Sequence, residues 1–520
     1  MISSLARFTL GAAFALASAQ ANAQQFADAN RLATLSAAFP EIDRVMQSFA
    51  EHSRVPGIAY GIIVDGRLVH AGTAGLREVA SHSPVDTATV FRIASMTKSF
   101  TALSILQLRD AGKLSLDDAA ERYVPELKRL KYPTSDAPKI TIRHLLSHSA
   151  GFPEDNPWGD QQLAATDADM SAMIRRGIPF STAPGTAYEY SNFGFAILGR
   201  VVANVSGMPY TRYVSERILT PLGMRMTTLE TARVPASRLA HGYRVQDGAW
   251  LEEAQLPDGA FGSMGGMLTS VNDLSKWVAF MLDAWPPRDG AERGPVRRAS
   301  VREMQQVVRY NGATAMRDTS NGTVVLSAGG YGFGLGVRQT CLFAISVAHS
   351  GGLPGFGSIM RWLPDYGVGI VALGNLTYTS WGAPSGQAID LLSRTGALSP
   401  RRAQPSAILT ARRDQVSRLV AHWDNALADT VAAMNLYLDE SKDRRRGAIE
   451  ALRAKVGDGC SNEGPFVAEN SLRGRWRMRC THGDLRVSIT LAPTVPAGVQ
   501  FLDVALMKRE ETLDAAPVCR

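Results

Sequence analysis

The stretch VPGIAYGIIVDGRLVHAGTAG, residues 55–75, decides the fold because it sets up a tight antiparallel hairpin. Its two apolar runs flank Asp65-Gly66, a dipeptide that favours the two-residue turns of β-hairpins. Just before it, EIDRVMQSFAEHSR carries apolar residues at helical spacing, namely Ile42, Val45, Met46 and Phe49. The chain is therefore predicted to open with a helix packed on an antiparallel sheet.

Strand patterns return only far downstream, in GGYGFGLGVRQ, LFAISVAH, GSIMRWLP and GVGIVALGN, before a helical pattern at 388–394. Neither group of strands is large enough to bury its own apolar face, so both must belong to one sheet. The intervening region, from Tyr123 to Asp289, is mostly helical with breaks rich in glycine and proline. These patterns predict a mixed α/β (α+β) fold, in which an antiparallel sheet is flanked by helices and joined by an all-helical lobe.

The N-terminus has the composition of a cleavable export signal. Residues 1–23 combine Arg7, an apolar stretch over 8–19 and a small-x-small end at Ala21 and Ala23. That stretch is too short to span a bilayer, although a retained N-terminal anchor is the alternative. We expect secretion across the inner membrane, into the periplasm, with no integral membrane segment after the signal is removed.

Composition argues against several classes of partner. Of the 520 residues, 45% are hydrophobic and 20% are charged, as in ordinary soluble globular proteins. The net charge of +7 is spread along the chain, and the one tight basic cluster, SKDRRRG at 441–447, is typical of a solvated helix start. We expect no nucleic-acid partner.

A polar, proline-containing break over 395–407 divides the chain. A single core seldom serves more than about 300 residues, so more than one domain is expected. We predict the main domain at 24–396, a linker at 397–406 and a small α+β accessory domain at 407–520.

The accessory domain has its own secondary-structure signals. Apolar residues from Val416 to Met434 predict one long amphipathic helix. RWRMRC and LRVSITL alternate strictly, which predicts two strands joined at His482-Gly483-Asp484. Trp476, Met478 and Cys480 are expected on one face of the first strand and three arginines on the other.

Four cysteines, at 341, 460, 480 and 519, suit an oxidising compartment. Cys460 and Cys480 are the preferred disulfide pair, because closing a loop of that length stabilises a fold by about 3 kcal/mol. Free, buried thiols are the alternative. No C-x-x-C occurs, which argues against a zinc or thioredoxin-type site.

FRIASMTKSF, residues 91–100, places Ser95 and Lys98 one turn apart at the head of an apolar helix that reaches Gly112. A serine hydroxyl is a poor nucleophile at neutral pH unless a base lies within hydrogen-bond reach. Positions i and i+3 share a helix face, and burial lowers the pKa of a lysine, which makes its neutral amine available as that base. The pair by itself also fits a solvated lysine beside a serine helix cap.

Two further motifs make the pair specific. YEYSNFGFAILG presents Tyr190-Ser191-Asn192 in a loop that enters an apolar helix. AHSGGLPGFGS presents His349-Ser350-Gly351 at a strand end, where glycines let a substrate backbone approach the strand edge. S-x-x-K, Y-x-N and a basic residue-x-Gly, in this order and at these spacings, resemble the serine β-lactamase and penicillin-binding-protein superfamily. The resemblance is greatest to its class C β-lactamase branch, with its D,D-carboxypeptidases, D-aminopeptidases and esterases.

The resemblance covers roughly residues 38–394 and includes the segments ITIRHLLSHSAGFP and FGSMGGMLTSVNDLSKW. It implies a β-lactamase/transpeptidase-like fold, with a five-stranded antiparallel sheet between helices and an all-helical lobe. It also implies that Ser95 forms an acyl-enzyme and that Lys98 is the base or holds the proton network. Tyr190 would relay a proton to the leaving group, its pKa lowered by nearby cations.

The same resemblance implies how substrate binds. Asn192 would bind a substrate amide, and His349 would orient the substrate and tune Tyr190. Gly351 would belong to the substrate-binding strand. The backbone amides of Ser95 and Gly352 would form the oxyanion hole, whose donors act on charge that develops in the transition state.

His349 departs from the β-lactamase pattern, which usually has lysine at this position. A histidine is only partly charged near neutrality and attracts the β-lactam carboxylate less, whereas peptidases of the family often carry histidine here. We therefore expect an exported serine hydrolase, a peptidase or amidase acting on small peptides with D-residues (D-Ala type, including linear peptides). The alternatives are a carboxylesterase or weak β-lactamase and, in another class, a non-catalytic protein that binds cell-wall peptides or penicillin.

Other kinds of site have less support. His144 and His148 lie four residues apart, but no glutamate base or third ligand is evident, so structural roles are favoured over metal binding. The sequence has no G-x-S-x-G, and the glycines of GGYGFGLG follow strand periodicity rather than a nucleotide-binding pattern. We expect no metal and no cofactor; the expected partner is a small peptide, ester or β-lactam substrate.

Overall fold

The computed structural model describes residues 26, 28, 30–317, 324–508 and 510–513. The predicted export signal at 1–23 lies outside the described residues. Every helix in the described part of the chain is too short or too polar to cross a membrane.

One antiparallel sheet holds the main part of the molecule together. Strand β1 pairs with β13 in a register that joins Ile58 to Gly374, which confirms that the early and late strands share one sheet. Asp65 and Gly66 form the turn between β1 and β2, as predicted. The order across the sheet is β3 (Ser83–Pro84), β2 (Arg67–Glu78), β1 (Gly57–Val64), β13 (Val368–Gly374), β12 (Phe356–Leu363), β11 (Ser346–Leu353), β10 (Gly336–Thr340), β9 (Val324–Tyr331) and β8 (Arg309–Arg317).

Helices cover both faces of this sheet and form the lobe beside it. In the described residues up to 394 they are α1 (Arg31–Ser36), α2 (Phe39–His52), α3 (Thr97–Asp110), α4 (Ile142–Leu146), α5 (Asn156–Asp160), α6 (Asp167–Arg176), α7 (Asn192–Ser206), α8 (Tyr210–Val214), α9 (Gly262–Gly265), α10 (Val271–Asp283), α11 (Arg298–Met304) and α12 (Gly382–Arg394). Two short strand pairs accompany them: β4 (Phe91–Arg92) with β7 (Leu268–Thr269), and β5 (Tyr243–Gln246) with β6 (Ala249–Glu252). The predicted helical middle region is confirmed.

Successive residues of β1 point into two different cores, because side chains alternate across a strand. Ile58 packs with α2 and α12 on one face. Ala59 faces the larger core, which includes Phe100 of α3 and Trp277 of α10. Every residue of β1 is buried, so the strand is fixed from both sides and α3 packs on a rigid support.

The resemblance implies a sheet of five strands, but the sheet of this chain has nine strands in the described residues. Part of the difference is the hairpin of β8 and β9, for which the sequence analysis assigns no first strand. Asn311-Gly312 has the composition of a turn, but Gly312 (φ +138°) lies at a bulge between paired residues of β8 and β9. The sequence pattern therefore misses β8, because this dipeptide has the composition of a turn.

The C-terminal part has a separate core. Its elements are α13 (Ala407–Ala421), α14 (Asn425–Val431), α15 (Leu436–Asp439), α16 (Lys442–Val456), and a sheet in the order β14 (Ser461–Asn470), β15 (Arg473–Arg479), β16 (Asp484–Leu491), β17 (Val499–Met507). The fully buried members of its apolar cluster lie between Leu409 and Val499. Trp476, Met478 and Cys480 are buried on one face, which confirms the strand alternation.

The single long helix predicted there is wrong. The backbone of His422 is extended (φ −151°), and Asp424 caps a new helix by accepting the Leu427 N–H at 2.8 Å. Met434, expected on the buried stripe, is 89% exposed. An aspartate cap at the right place therefore overrides the continuing apolar pattern.

The predicted disulfide between Cys460 and Cys480 is confirmed. It joins the start of β14 to the end of β15, and it closes a loop with a sequence separation of 20 residues. Cys341 is disulfide-bonded as well.

Candidate active site

Ser95 lies where the sheet meets the helical lobe. It belongs to a 3-10 turn, Ala94–Met96, that leads directly into α3. Ala94 has a left-handed backbone (φ +47°), which is costly for a residue with a side chain and is typical of functional sites. The turn leaves Ser95 8% exposed at the head of an otherwise buried helix.

The Lys98 side chain is completely buried and its nitrogen meets three acceptors. Nζ lies 3.0 Å from Ser95 Oγ, 2.6 Å from Asn192 Oδ1 and 2.8 Å from the Met264 carbonyl oxygen. Burial lowers the pKa of Lys98 to about 7, against the opposing effect of nearby carboxylates, Asp160 first. A neutral amine has two N–H groups, which the two carbonyl oxygens occupy, so its lone pair faces Ser95. This geometry suits a general base.

Tyr190 lies beside this pair. The Ser95 hydroxyl hydrogen-bonds to the Tyr190 phenol, and Lys98 Nζ is 4.8 Å from the centre of the ring. The expectation that cations lower the pKa of Tyr190 is wrong, because burial raises that pKa well above its ordinary value. Tyr190 is therefore a neutral phenol at physiological pH, able to donate a proton.

Asn192 connects the Lys98 amine to the start of α7. It is completely buried at the first position of α7. Its Oδ1 accepts from Lys98 Nζ, and its Nδ2 donates to Asn156 Oδ1 at 3.1 Å. Oδ1 therefore orients the Lys98 amine, while Nδ2 keeps a second N–H, and binding of a substrate amide by Asn192 stays a prediction.

His349 is neutral and is bonded to a tyrosine that the sequence analysis missed. Its Nδ1 lies 2.6 Å from the Ser350 carbonyl oxygen, which can only accept, so Nδ1 carries the proton. Its Nε2 then accepts from the Tyr331 hydroxyl at 2.8 Å. Burial, helped by Lys98, lowers the pKa of His349 to about 3, so the partial charge expected near neutrality is absent. The Tyr190 ring is 6.4 Å away between ring centres.

Gly351 and Gly352 form the part of β11 that borders the Ser95 turn. Only the first residues of β11 pair with β10, so the rest of that edge has no partner among the described strands. A Cβ at Gly351 would lie 2.1 Å from the Ile93 carbonyl oxygen, and one at Gly352 would lie 2.7 Å from the Tyr378 ring. Glycine therefore lets the strand approach the turn closely. The predicted oxyanion hole, the amides of Ser95 and Gly352, belongs to this junction.

His148, for which the sequence analysis favours a structural role over metal binding, supports the Tyr190 loop. Its backbone oxygen accepts the Glu189 N–H at 2.8 Å, and its Nδ1 accepts the Ser191 N–H at 3.0 Å. Its ring centre is 4.2 Å from that of Tyr190. The side chain is buried and burial lowers its pKa far below the ordinary value, so the ring is a neutral acceptor. His148 thus holds the residues on both sides of Tyr190.

His144 and His148 do not act as a pair. His144 Nδ1 accepts the Thr141 N–H at 3.3 Å at the start of α4, whereas His148 faces the Tyr190 loop. In the described ranges, no group of three or more histidine, cysteine, aspartate or glutamate side chains could hold a metal ion.

Two carboxylates from a turn-like segment complete the site. Asp155 accepts the N–H groups of Asn192 at 2.6 Å and Phe193 at 2.8 Å, and so stabilises the start of α7. Asp160 is 3% exposed and accepts the Tyr378 hydroxyl at 2.9 Å. Sequence analysis missed both, since DNPWGD has the composition of any solvated turn.

Comparison with known proteins agrees with the geometry. The family model described as Beta-lactamase matches residues 42–393. The chain belongs to the Beta-lactamase family. The predicted superfamily and the predicted sheet with flanking helices are thereby confirmed.

Curated relatives match only in part. Protein flp of Staphylococcus aureus is 31% identical over 252 residues in strain MW2, which is 48% of this chain and 49% of that protein. In strain COL it is 28% identical over 341 residues, or 65% and 63%. Beta-lactamase-like protein 2 of Dictyostelium discoideum is 32% identical over 263 residues, or 49% and 47%. The chain thus spans less than two thirds of the length of these relatives.

Among solved structures, this Beta-lactamase family member resembles the octameric penicillin-binding protein homologue from Pyrococcus abyssi. The TM-score is 0.56 at 21% identity, and the match covers 90% of this chain and 98% of that one. At this identity the likeness concerns the fold.

Proposed function

We propose that the protein is an exported peptidase or amidase that forms an acyl-enzyme on Ser95 and cleaves small peptides containing D-residues. One observation carries the catalytic part of this proposal: two carbonyl oxygens occupy two positions around Lys98 Nζ and leave the third directed at Ser95 Oγ, 3.0 Å away. A solvated lysine beside a helix cap, the alternative interpretation of S-x-x-K, would be exposed, whereas Lys98 is completely buried.

The contacts support a specific order of proton transfers. The Ser95 proton passes to the neutral Lys98 amine as the Oγ–C bond forms, and the amides of Ser95 and Gly352 would bind the oxyanion. Tyr190 then donates its phenolic proton to the leaving nitrogen as the C–N bond breaks, and it regains a proton from Lys98. In deacylation a water loses its proton to the same groups, bonds to the acyl carbon and returns Ser95 to the hydroxyl form.

The neutral state of His349 supports a peptide over a β-lactam as substrate. A β-lactam carries a carboxylate that a fixed positive charge would attract, and His349, with a pKa of about 3, supplies none at neutral pH. Carboxylesterase or weak β-lactamase activity would use the same acyl-enzyme. A non-catalytic binder of cell-wall peptide would have no need of the buried Lys98 amine.

The test is a substrate panel assayed with the wild type and Ser95→Ala: D-Ala-containing peptides, nitrophenyl esters and nitrocefin. We expect peptide cleavage to dominate and Ser95→Ala to abolish it. Ester turnover without peptide cleavage would reject the substrate class, and undiminished hydrolysis by Ser95→Ala would reject the mechanism. A fluorophosphonate label that leaves Ser95 unmodified in the folded protein would favour the non-catalytic binder.

Export is proposed from the sequence of residues 1–23. Expression of the full chain in a Gram-negative host, followed by fractionation and N-terminal sequencing, should give a periplasmic protein that starts shortly after Ala23. A full-length cytoplasmic product would contradict export.

A further inference from the structure

One hydrogen bond joins α5 to the segment that follows β13, near the predicted oxyanion hole. The Tyr378 hydroxyl, from the segment that follows β13, donates to Asp160 Oδ2 of α5 at 2.9 Å. Asp160 is 3% exposed, whereas Tyr378 is 49% exposed and has a left-handed backbone (φ +52°), a strained conformation for a residue with a side chain. The carboxylate is thus covered by a side chain that has room to move toward solvent.

This bond lies next to the atoms that would react. Gly159, the neighbour of Asp160, packs so closely on Asn192 that a Cβ there would be 2.7 Å from the Asn192 Cβ. The Tyr378 ring lies against Gly352, whose amide is part of the predicted oxyanion hole. Asp160 is therefore connected on one side to the Lys98–Asn192 pair and on the other, through Tyr378, to Gly352.

The charges around this point favour a cationic substrate group. Asp160 Oδ1 has no hydrogen-bond partner among the described residues, so the carboxylate can accept another donor. Burial raises the pKa of Asp160 to about 6, although the hydrogen bond from Tyr378 and the charge of Lys98 lower it. The carboxylate is therefore ionised at neutral pH. Lys98 is engaged by its three acceptors, and His349 is neutral. Arg309, on the strand beside Tyr331, donates to the Gly185 carbonyl oxygen, and its Nε has no partner among the described residues.

We propose that Asp160 determines substrate specificity by receiving a protonated amine on the carbon next to the scissile carbonyl, and that the Tyr378 hydroxyl occupies this place before substrate arrives. The inference rests on the proposed acyl-enzyme mechanism and narrows its substrate class to peptides and amides cleaved after a residue with a free amino group. An amine and a carbonyl on the same carbon are close enough for one to reach Asp160 while the other reaches Gly352. A substrate with a carboxylate at this point would be repelled.

The experiment compares two substrates with the same leaving group, D-alanine p-nitroanilide and N-acetyl-D-alanine p-nitroanilide. We expect the wild type to prefer the free amine by at least about tenfold in kcat/KM, the range of one charge-assisted hydrogen bond. Asp160→Asn should remove most of this preference. Tyr378→Phe, which removes the competing donor, should lower KM for the free amine and so increase the preference over the acetylated substrate.

Asp136→Asn is the matched control, because Asp136 is an exposed loop carboxylate. Thermal unfolding of each variant checks that it is folded. If Asp160 acted only by setting the pKa of Lys98, Asp160→Asn would move the pH profile of both substrates equally and keep their ratio, which would overturn the inference. A wild-type preference for the acetylated substrate, or a preference for a substrate carboxylate that Arg309→Met abolishes, would overturn it too. In either case Ser95-dependent hydrolysis would persist, whereas failure of the proposed function would abolish turnover of both substrates.

Discussion

The proposed chemistry of this protein depends on one buried lysine, Lys98. An ammonium group loses much of its hydration when it is buried, and Lys98 keeps only partial compensation from three acceptors and the carboxylates of Asp155 and Asp160. The result is an amine that changes its protonation state near neutral pH. A serine hydrolase of this type needs no histidine as base, and both histidines near Ser95 have pKa values lowered by burial.

This residue predicts the pH dependence of the reaction. With a pKa of about 7, Lys98 is neutral above that pH and protonated below it. We expect kcat/KM for a nitrophenyl ester to rise as the pH passes through about 7 and to reach a plateau at higher pH. Lys98→Arg, which stays protonated, should lower activity by roughly 100- to 10,000-fold. A wild-type profile that is flat between pH 5 and 9 would contradict this assignment.

A second prediction concerns His148. His148→Leu leaves the Ser191 N–H without an acceptor in a buried place, so we expect kcat to fall by roughly tenfold or more while KM changes little. His148→Asn should recover much of the loss, because its Oδ1 can accept that N–H and asparagine tolerates the left-handed backbone at this position (φ +54°). Equal activity of the two variants would show that the hydrogen bond to the Tyr190 loop is unimportant. Steady-state kinetics with a nitrophenyl ester decides the matter.

At the scale of elements, the start of α7 connects stability with catalysis. Asp155 accepts two N–H groups there, and the first belongs to Asn192, which holds Lys98. We expect Asp155→Ala to reduce the free energy of unfolding by about 1–2 kcal/mol and also to lower kcat. Asp424→Ala is the control, since it removes a comparable cap from α14 in the C-terminal part. Asp424→Ala should reduce the free energy of unfolding without lowering kcat in ester hydrolysis. If kcat fell in both variants in proportion to the lost stability, Asp155 would have no special role in catalysis.

Local patterns predicted those elements whose signals are local. The Asp65-Gly66 turn and the alternation of β15 both depend on neighbours in sequence. The strand β8 was not recognised because Asn311-Gly312 marks a bulge with the composition of a turn. The long helix was wrong because an apolar period continues across Asp424, where a new helix begins.

The residues of the candidate site also divide into those with a local sequence signal and those without one. Ser95, Lys98, Tyr190 and His349 stand in recognisable motifs, and the structure brings them together. Asp160, Tyr331 and Tyr378 reach the site only through tertiary packing, and nothing in their flanking sequence distinguishes them from turn or strand residues. The neutrality of His349 likewise depends on burial, which a motif cannot report.

On the scale of the whole molecule, the separate apolar core of the C-terminal part predicts that it can be weakened independently. Cys460→Ser with Cys480→Ser removes a disulfide whose loop length corresponds to about 3 kcal/mol. We expect an earlier unfolding transition for the C-terminal part and nearly unchanged ester hydrolysis. Differential scanning calorimetry together with activity after partial heating measures both. A simultaneous loss of activity at the lower transition would show that the two parts unfold as one.

The pairing of β1 with β13 also sets the order of events during folding. These two neighbouring strands carry residues 57–64 and 368–374, and Lys98 lies on α3, which follows the first of them closely in the chain. Contacts of such large sequence separation form slowly, because a long loop must close before they are gained. A growing chain therefore has Ser95 long before it has a base of lowered pKa or a strand edge to present a substrate. Chains that end before β13 should therefore be inert. The proposed hydrolysis should begin only when β13 has been inserted beside β1.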